Sequence, residues 1–309
     1  MVPTEGIAEE PEISAELKDW RIPFLGRETE RQSFKSFLDA NGEAADRLTV
    51  SGDSGTGKSY LVRTCLFDAL QANSGDYFCL YVDLSNDEFQ SSRLISSLLK
   101  LAMVAAEPTK KYPLKIPTDL TLEEFKRKST DRKSIGWNVI RGLSQAAASF
   151  VCMGEAAREV LSGAGEVSTT AGDILSEYLK WVASHRTILL AVDNYQFMNL
   201  EIRLTLESLI GRVGTNIKYI IVDRTIDGVS QIVPPLQSMG MNDLKMSLGK
   251  FDLEETKKVV AASVEVDDDL LERLSSDLFS KTDGLPTDLY RRQNRGFACI
   301  GASIGVFHF

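Results

Sequence analysis

A doubly wound parallel α/β sheet with a small C-terminal helical unit is the fold class that this sequence predicts. Three observations predict it. Short runs that are apolar throughout alternate with amphipathic stretches, the pattern of strands covered by helices on both faces. A glycine-rich octapeptide follows the first such run and opens a helical stretch. Beyond residue 250 the apolar runs stop and helical periodicity continues alone. The 309 residues suit about two domains, and 43% hydrophobic with 26% charged residues is a globular composition.

The elements follow in order. Residues 28–38 place Phe34, Phe37 and Leu38 at helical spacing. The run RLTVS at 47–51 predicts a strand. Residues 60–70 predict a helix with Leu61, Val62, Cys65, Leu66 and Leu70 on its apolar side. YFCLYVDL at 77–84 predicts a buried strand, and 92–106 a helix. Over 108–130 three prolines and many lysines break the pattern, which predicts an exposed excursion. Residues 136–163 are alanine-rich and helical in character, and 173–184 predict a helix carrying Tyr178 and Trp181. TILLAV at 187–192 and KYIIV at 218–222 predict further buried strands, with a helix at 200–213 between them. Residues 244–248 are a candidate last strand. Helices are expected at 253–264 and 270–281. The expected division is an acidic mobile tail at 1–20, a core at 21–249 with a helical insertion at about 107–172, and a helical unit at 250–309.

Charge and cysteine usage narrow the function classes. Lys plus Arg number 35 and Asp plus Glu 44, a formal net charge of −9. Such a chain has no global attraction for phosphate backbones, so nucleic-acid binding would need a local basic face. The lysines and arginines at 110, 111, 115, 126, 127, 128, 132 and 133 form one such region, read first as a solvated insertion. Cys65, Cys79, Cys152 and Cys299 show no metal-ligand spacing and read as reduced thiols. The N-terminal stretch has no apolar segment of a signal peptide, and no apolar run approaches the roughly 18 residues of a membrane span. A cytoplasmic protein without membrane contact is expected.

The chemistry is concentrated in Gly52-Asp53-Ser54-Gly55-Thr56-Gly57-Lys58-Ser59, a full G-x-x-x-x-G-K-[ST] match between a strand and a helix. The glycines let successive N–H groups turn inward on an anion. The helix that starts here, continuing through Tyr60, adds its positive N-terminus. Lys58 would set its ammonium on the β- and γ-phosphates, and the Ser59 hydroxyl would ligate Mg²⁺. Such a loop needs an acid on a neighbouring strand to hold the metal through water. Asp193, at the end of TILLAV, lies where ligands bind in open α/β sheets; Asp83, at the end of the earlier strand, is a rival. Asn194 and Gln196 can orient water, but neither can take its proton as a carboxylate does.

With these motifs in place the chain resembles the AAA+ and STAND P-loop NTPases, including the origin-recognition type. Phe24-Leu25-Gly26-Arg27-Glu28 is similar to their F-x-G-R-E box. Asp193-Asn194-Tyr195-Gln196 resembles their Walker B segment, and the stretch from Tyr219 to Arg224 their sensor strand. Phe251-Asp252-Leu253-Glu254-Glu255 looks like the start of their helical lid, and Gly284-Leu285-Pro286 like the G-x-P motif. The resemblance implies an ATP-binding core and a lid. It implies Pro23, Phe24, Leu25 and Arg27 near the base, Arg224 near the γ-phosphate, and Pro286 over the adenine. It departs from the family at Asn194, where a second acid is common, and at Asp223, where a small hydroxyl residue is common.

Three functions are therefore expected to compete. The first is a Mg²⁺-dependent ATPase of slow turnover, working as a nucleotide-controlled switch that an oligomer or protein partner reads. The second is a DNA-associated AAA+ loader or regulator, which the basic region favours and the net charge opposes. The third is a non-hydrolysing ATP-binding scaffold. Lys58, Asp193, Asn194 and Arg224 are the expected catalytic set. Arg212, which follows the helical stretch from Leu200 to Gly211, is a weaker candidate for reaching a neighbour's nucleotide as an arginine finger.

Overall fold

The computed structural model describes residues 26–40, 45–72, 75–89, 93–106, 120, 124–125, 165–214, 216–226, 229–230, 242–262, 264 and 266–290. In chain order the helices are α1 (Glu28–Asp39), α2 (Lys58–Ala72), α3 (Leu94–Ala106), α4 (Gly165–Ala183), α5 (Leu200–Val213), α6 (Leu253–Ala261) and α7 (Asp268–Thr282). The strands are β1 (Arg47–Gly52), β2 (Tyr77–Asp83), β3 (Thr187–Asp193), β4 (Ile217–Val222), β5 (Thr225–Ile226), β6 (Val229–Ser230) and β7 (Asp243–Leu248).

Five of the strands form one parallel sheet in the order β2-β3-β4-β1-β7. Alternate residues of a strand point to opposite faces, and here both faces are filled. Phe78, Leu80, Val82, Ile188, Leu190, Val192, Tyr219 and Ile221 pack with α3, α4 and α5 on one side. Leu48, Val50, Leu189, Ala191, Ile220 and Val222 pack with α1 and α2 on the other. Double coverage is why β2, β3 and most of β4 read as near-continuous apolar runs, while β7 at the sheet's edge alternates.

The candidate last strand at 244–248 is β7, paired with β1 from Arg47 opposite Asp243 to Gly52 opposite Leu248. The two-residue hairpin β5–β6 carries no periodicity that sequence reading could detect. α4 starts at Gly165, eight residues before the expected helix. α6 ends at Ala261, three residues short of the expectation. The excursion at 108–130 (apart from residues 120, 124 and 125), the alanine-rich stretch at 136–163 and the tail at 1–20 lie outside the described residues. No helix among the described residues is long and apolar enough to cross a membrane.

Local capping fixes the elements that frame the site. Lys218 of β4 reaches the C-terminal end of α1 and donates to the carbonyls of Leu38 (3.0 Å) and Ala40 (2.6 Å), where a cation offsets the negative end of the helix. Asp252 and Glu255 form a reciprocal capping box at the start of α6. α6 and α7 are followed by a short turn and a helical stretch at 286–290, and Phe251, Val259 and Leu289 form a small core of their own.

Candidate functional site

The phosphate loop leaves the C-terminal end of β1 and runs directly into α2. Gly52 sits at φ 154°, and a Cβ there would lie 2.4 Å from the Leu248 carbonyl oxygen of β7. Glycine is required by that contact, because the opposing atom is backbone and cannot give way. Gly55 and Gly57 also have positive φ. Thr56 closes the turn, its hydroxyl donating to the Asp53 carbonyl at 2.9 Å. The Asp53 carboxylate accepts from the Thr225 hydroxyl at 2.7 Å, which ties the loop to the residues after β4. Ser54 is exposed at the tip.

Lys58 is buried and donates to the carbonyls of Gly52 (2.8 Å) and Asp53 (2.7 Å). Burial lowers its pKa, opposed by the charges of Asp193, Asp223 and Asp53 and reinforced by Arg224. Arg224 is exposed, and among the described residues it makes no hydrogen bond or ion pair. Asp223, fully buried beside it, donates its N–H to the Val50 carbonyl at 2.9 Å.

Asp193 closes β3 and is 1% exposed. Its Oδ1 accepts from the Ser59 hydroxyl at 3.0 Å and from the Asn194 N–H at 2.7 Å, while Oδ2 accepts from the Tyr81 hydroxyl. Strand order thus brings the loop serine and the strand aspartate together across 134 residues of sequence. One hydroxyl and one carboxylate, both oxygen donors, suit Mg²⁺, which takes few protein ligands and fills its octahedron with phosphate and water. Among the described residues no group of three or more His, Cys, Asp or Glu could hold a metal without such help.

Asp83 ends β2 directly opposite Asp193. Burial raises its pKa, but hydrogen bonds from Ser85 and Asn194, with Arg63 nearby, outweigh that and leave it below the usual carboxylate value. Asn194 adopts a left-handed conformation, φ 55° and ψ 44°. Its side-chain N–H donates to Asp83 at 2.7 Å, and its side-chain oxygen accepts from Gln196 at 3.2 Å.

The C-terminal helical unit touches the loop. Thr287 donates its N–H (3.1 Å) and its hydroxyl (2.9 Å) to the Gly55 carbonyl. The preceding turn is held by Gly284 at φ 68°, where a Cβ would meet the Phe251 carbonyl oxygen at 2.1 Å. Pro286 is buried next to it, and Tyr60 of α2 faces Tyr290 with ring centroids 6.4 Å apart. Arg27 is buried at the other end of this unit. It stacks on Phe251 at 4.7 Å, donates to the Gly249 carbonyl and pairs with Glu30 at 3.2 Å. Arg212 pairs with Asp173 of α4 at 2.9 Å. Pro23, Phe24 and Leu25 lie outside the described residues.

The structure therefore gathers Lys58, Ser59 and Asp193, and leaves Arg224 open close by. Sequence reading missed Tyr81, Thr225 and Thr287. The cue for Tyr81 was slight, a hydroxyl in an otherwise apolar strand two residues before Asp83.

A family profile and one solved structure agree with this architecture. The sequence profile described as "AAA ATPase domain" matches residues 23–222. None of the curated proteins matches the chain. Among solved structures, Drosophila ORC bound to DNA is similar with a TM-score of 0.51 at 13% identity, covering 90% of this chain and 61% of that one. Cdc6p from Pyrobaculum aerophilum follows with 0.48 at 12% identity, covering 90% and 66%. Domain III of the Thermotoga maritima replication initiation protein DnaA gives 0.45 at 12% identity, covering 94% and 90%. This chain thus spans about three fifths of the length of the Drosophila structure. The octapeptide loop, the buried aspartate on the neighbouring strand and a profile match over some two thirds of the sequence lead to one conclusion: the chain belongs to the AAA ATPase domain family.

Proposed function

We propose that this protein binds ATP with Mg²⁺ at the 52–59 loop and works as a nucleotide-controlled conformational or assembly switch. The observation that carries the reading is the contact of Ser59 with Asp193 at 3.0 Å beside the buried Lys58 ammonium. An arriving triphosphate would replace the loop carbonyls as the partner of Lys58, and Ser59 and Asp193 would hold Mg²⁺, Asp193 through water. The metal supplies charge neutralisation on the phosphates when bound. Arg224 is free to reach a γ-phosphate. In this reading residues 21–249 are the ATPase core, with an insertion at about 107–172, and 250–309 act as a lid. The grip of Thr287 on Gly55 supports communication between the two.

Assembly is supported by Phe197, Leu200 and Leu204, exposed apolar side chains that begin three residues after Asn194. A STAND-like signalling role in the cytoplasm is the finer form of this proposal. The test identifies the nucleotide released on denaturation and follows molar mass by light scattering with and without Mg-ATP. Bound adenine nucleotide and a mass that changes with ATP are expected. Well-folded protein giving no heat with ATP, ADP or GTP in calorimetry would overturn the reading.

A second reading, a DNA-associated loader or regulator, draws on the basic residues between 110 and 133. A salt-sensitive rise in ATPase rate with duplex DNA would favour it. ATP binding without turnover would favour the non-hydrolysing scaffold.

A further inference from the structure

We propose that Asp83 is the carboxylate that orients the attacking water, supplied from β2 in place of an acid at position 194. The inference rests on the ATPase reading above and adds a catalytic residue to it. Asp83 and Asp193 are the last residues of adjacent parallel strands and stand opposite each other in register, about 4.8 Å apart in backbone spacing. Both oxygens of Asp193 are engaged, by Ser59, Asn194 and Tyr81. Asp83 is held differently. Its Oδ1 accepts from the Ser85 N–H (2.9 Å), the Ser85 hydroxyl (2.7 Å) and the Asn194 side chain (2.7 Å). Among the described residues its Oδ2 accepts no hydrogen bond. Asn194, itself braced by Gln196, thus acts as a strut that fixes the neighbouring carboxylate.

A carboxylate fixed through one oxygen and open at the other can accept a hydrogen bond from water at the site's edge. In the reaction the water oxygen bonds to the γ-phosphorus. The bond from that phosphorus to the β–γ bridging oxygen breaks, and its electron pair leaves on ADP. The water's proton passes by Asp83 to solvent, so ATP and water give ADP, phosphate and a proton.

Asn at position 83 keeps an acceptor for the Ser85 turn but removes the carboxylate, which separates a turn-holding role from a chemical one. The experiment compares the full chain with Asp83→Asn and Asn194→Ala. It measures binding of a fluorescent ATP analogue with Mg²⁺, single-turnover hydrolysis, and trapping of ADP with aluminium fluoride, which mimics the oriented in-line state. Asp83→Asn should bind as the wild type does, hydrolyse about 10²-fold more slowly and fail to trap. Asn194→Ala, which removes the strut's hydrogen bond and leaves every residue of β2 in place, should bind normally and lose part of both hydrolysis and trapping. It keeps the test decisive if Asp83→Asn folds poorly. Wild-type rates and trapping in Asp83→Asn overturn the assignment. A wild type that binds Mg-ATP yet never turns over also overturns it, leaving the binding reading intact. A wild type that binds no nucleotide removes both.

Discussion

Lys58 illustrates how one residue serves two opposed demands. Its ammonium is buried on loop carbonyls, and burial lowers its pKa from the ordinary 10.5. Between that lowered value and 10.5 the unfolded chain binds more protons, so stability rises with pH across the window. Lys58→Met should flatten this rise and leave the nucleotide-free protein no less stable, while abolishing ATP binding. Urea midpoints followed from neutral pH to about pH 10 check the first expectation, and calorimetry the second. Burial likewise pushes the Cys65 thiol up to about 12. Cys65 should therefore resist iodoacetamide at about pH 8 in the native protein and react once urea unfolds it, as peptide mass spectrometry would report. The loop was legible because its chemistry is contiguous from Gly52 to Ser59. The Tyr81 contact to Asp193 was not, since 112 residues separate them and strand register alone makes them neighbours. Asp83 was visible as a rival acid, yet its link to Asn194 needed the pairing of β2 with β3.

Among elements, β1 and β7 depend on each other at Gly52. Gly52→Ala would press a Cβ against the Leu248 carbonyl, and should cost about 2 kcal/mol or more of unfolding free energy, read from urea denaturation. A swap at an exposed position such as Glu28 would stay within about 0.5 kcal/mol. Asp252→Ala removes the capping box of α6 and should cost about 1 kcal/mol. Strand existence was legible for β1 to β4 because strands covered on both faces are mostly apolar, with Thr49 and Ser51 in β1 and Lys218 in β4 as the interior polar exceptions. Their lateral order was not, because an apolar run carries no label for its neighbour. The hairpin β5–β6 escaped notice because two residues per strand complete no period.

For the molecule as a whole, a ligand that binds the folded state alone stabilises it by mass action. Mg-ATP at about 100 times its dissociation constant should add about 2.7 kcal/mol. The melting temperature should rise accordingly in the wild type and stay flat in Lys58→Met. Leu200→Asp together with Leu204→Asp should abolish any ATP-dependent gain in mass seen by light scattering, with nucleotide binding unaffected. The parallel α/β sheet was legible from the alternation of apolar runs with amphipathic stretches. The way the C-terminal unit seats on the loop was not, since it turns on Thr287, an unremarked threonine one residue beyond the Gly284-Leu285-Pro286 turn.

The Gly55 carbonyl, an acceptor shared with Thr287, carries a thermodynamic obligation. Whatever occupies the cradle and strains that shared oxygen must tilt the equilibrium position of residues 285–290. By reciprocity, any macromolecule that grips those residues must alter affinity for the cradle's guest by the same factor. On the switch reading, outside contact and nucleotide level would thereby be read on one scale, through a single oxygen atom.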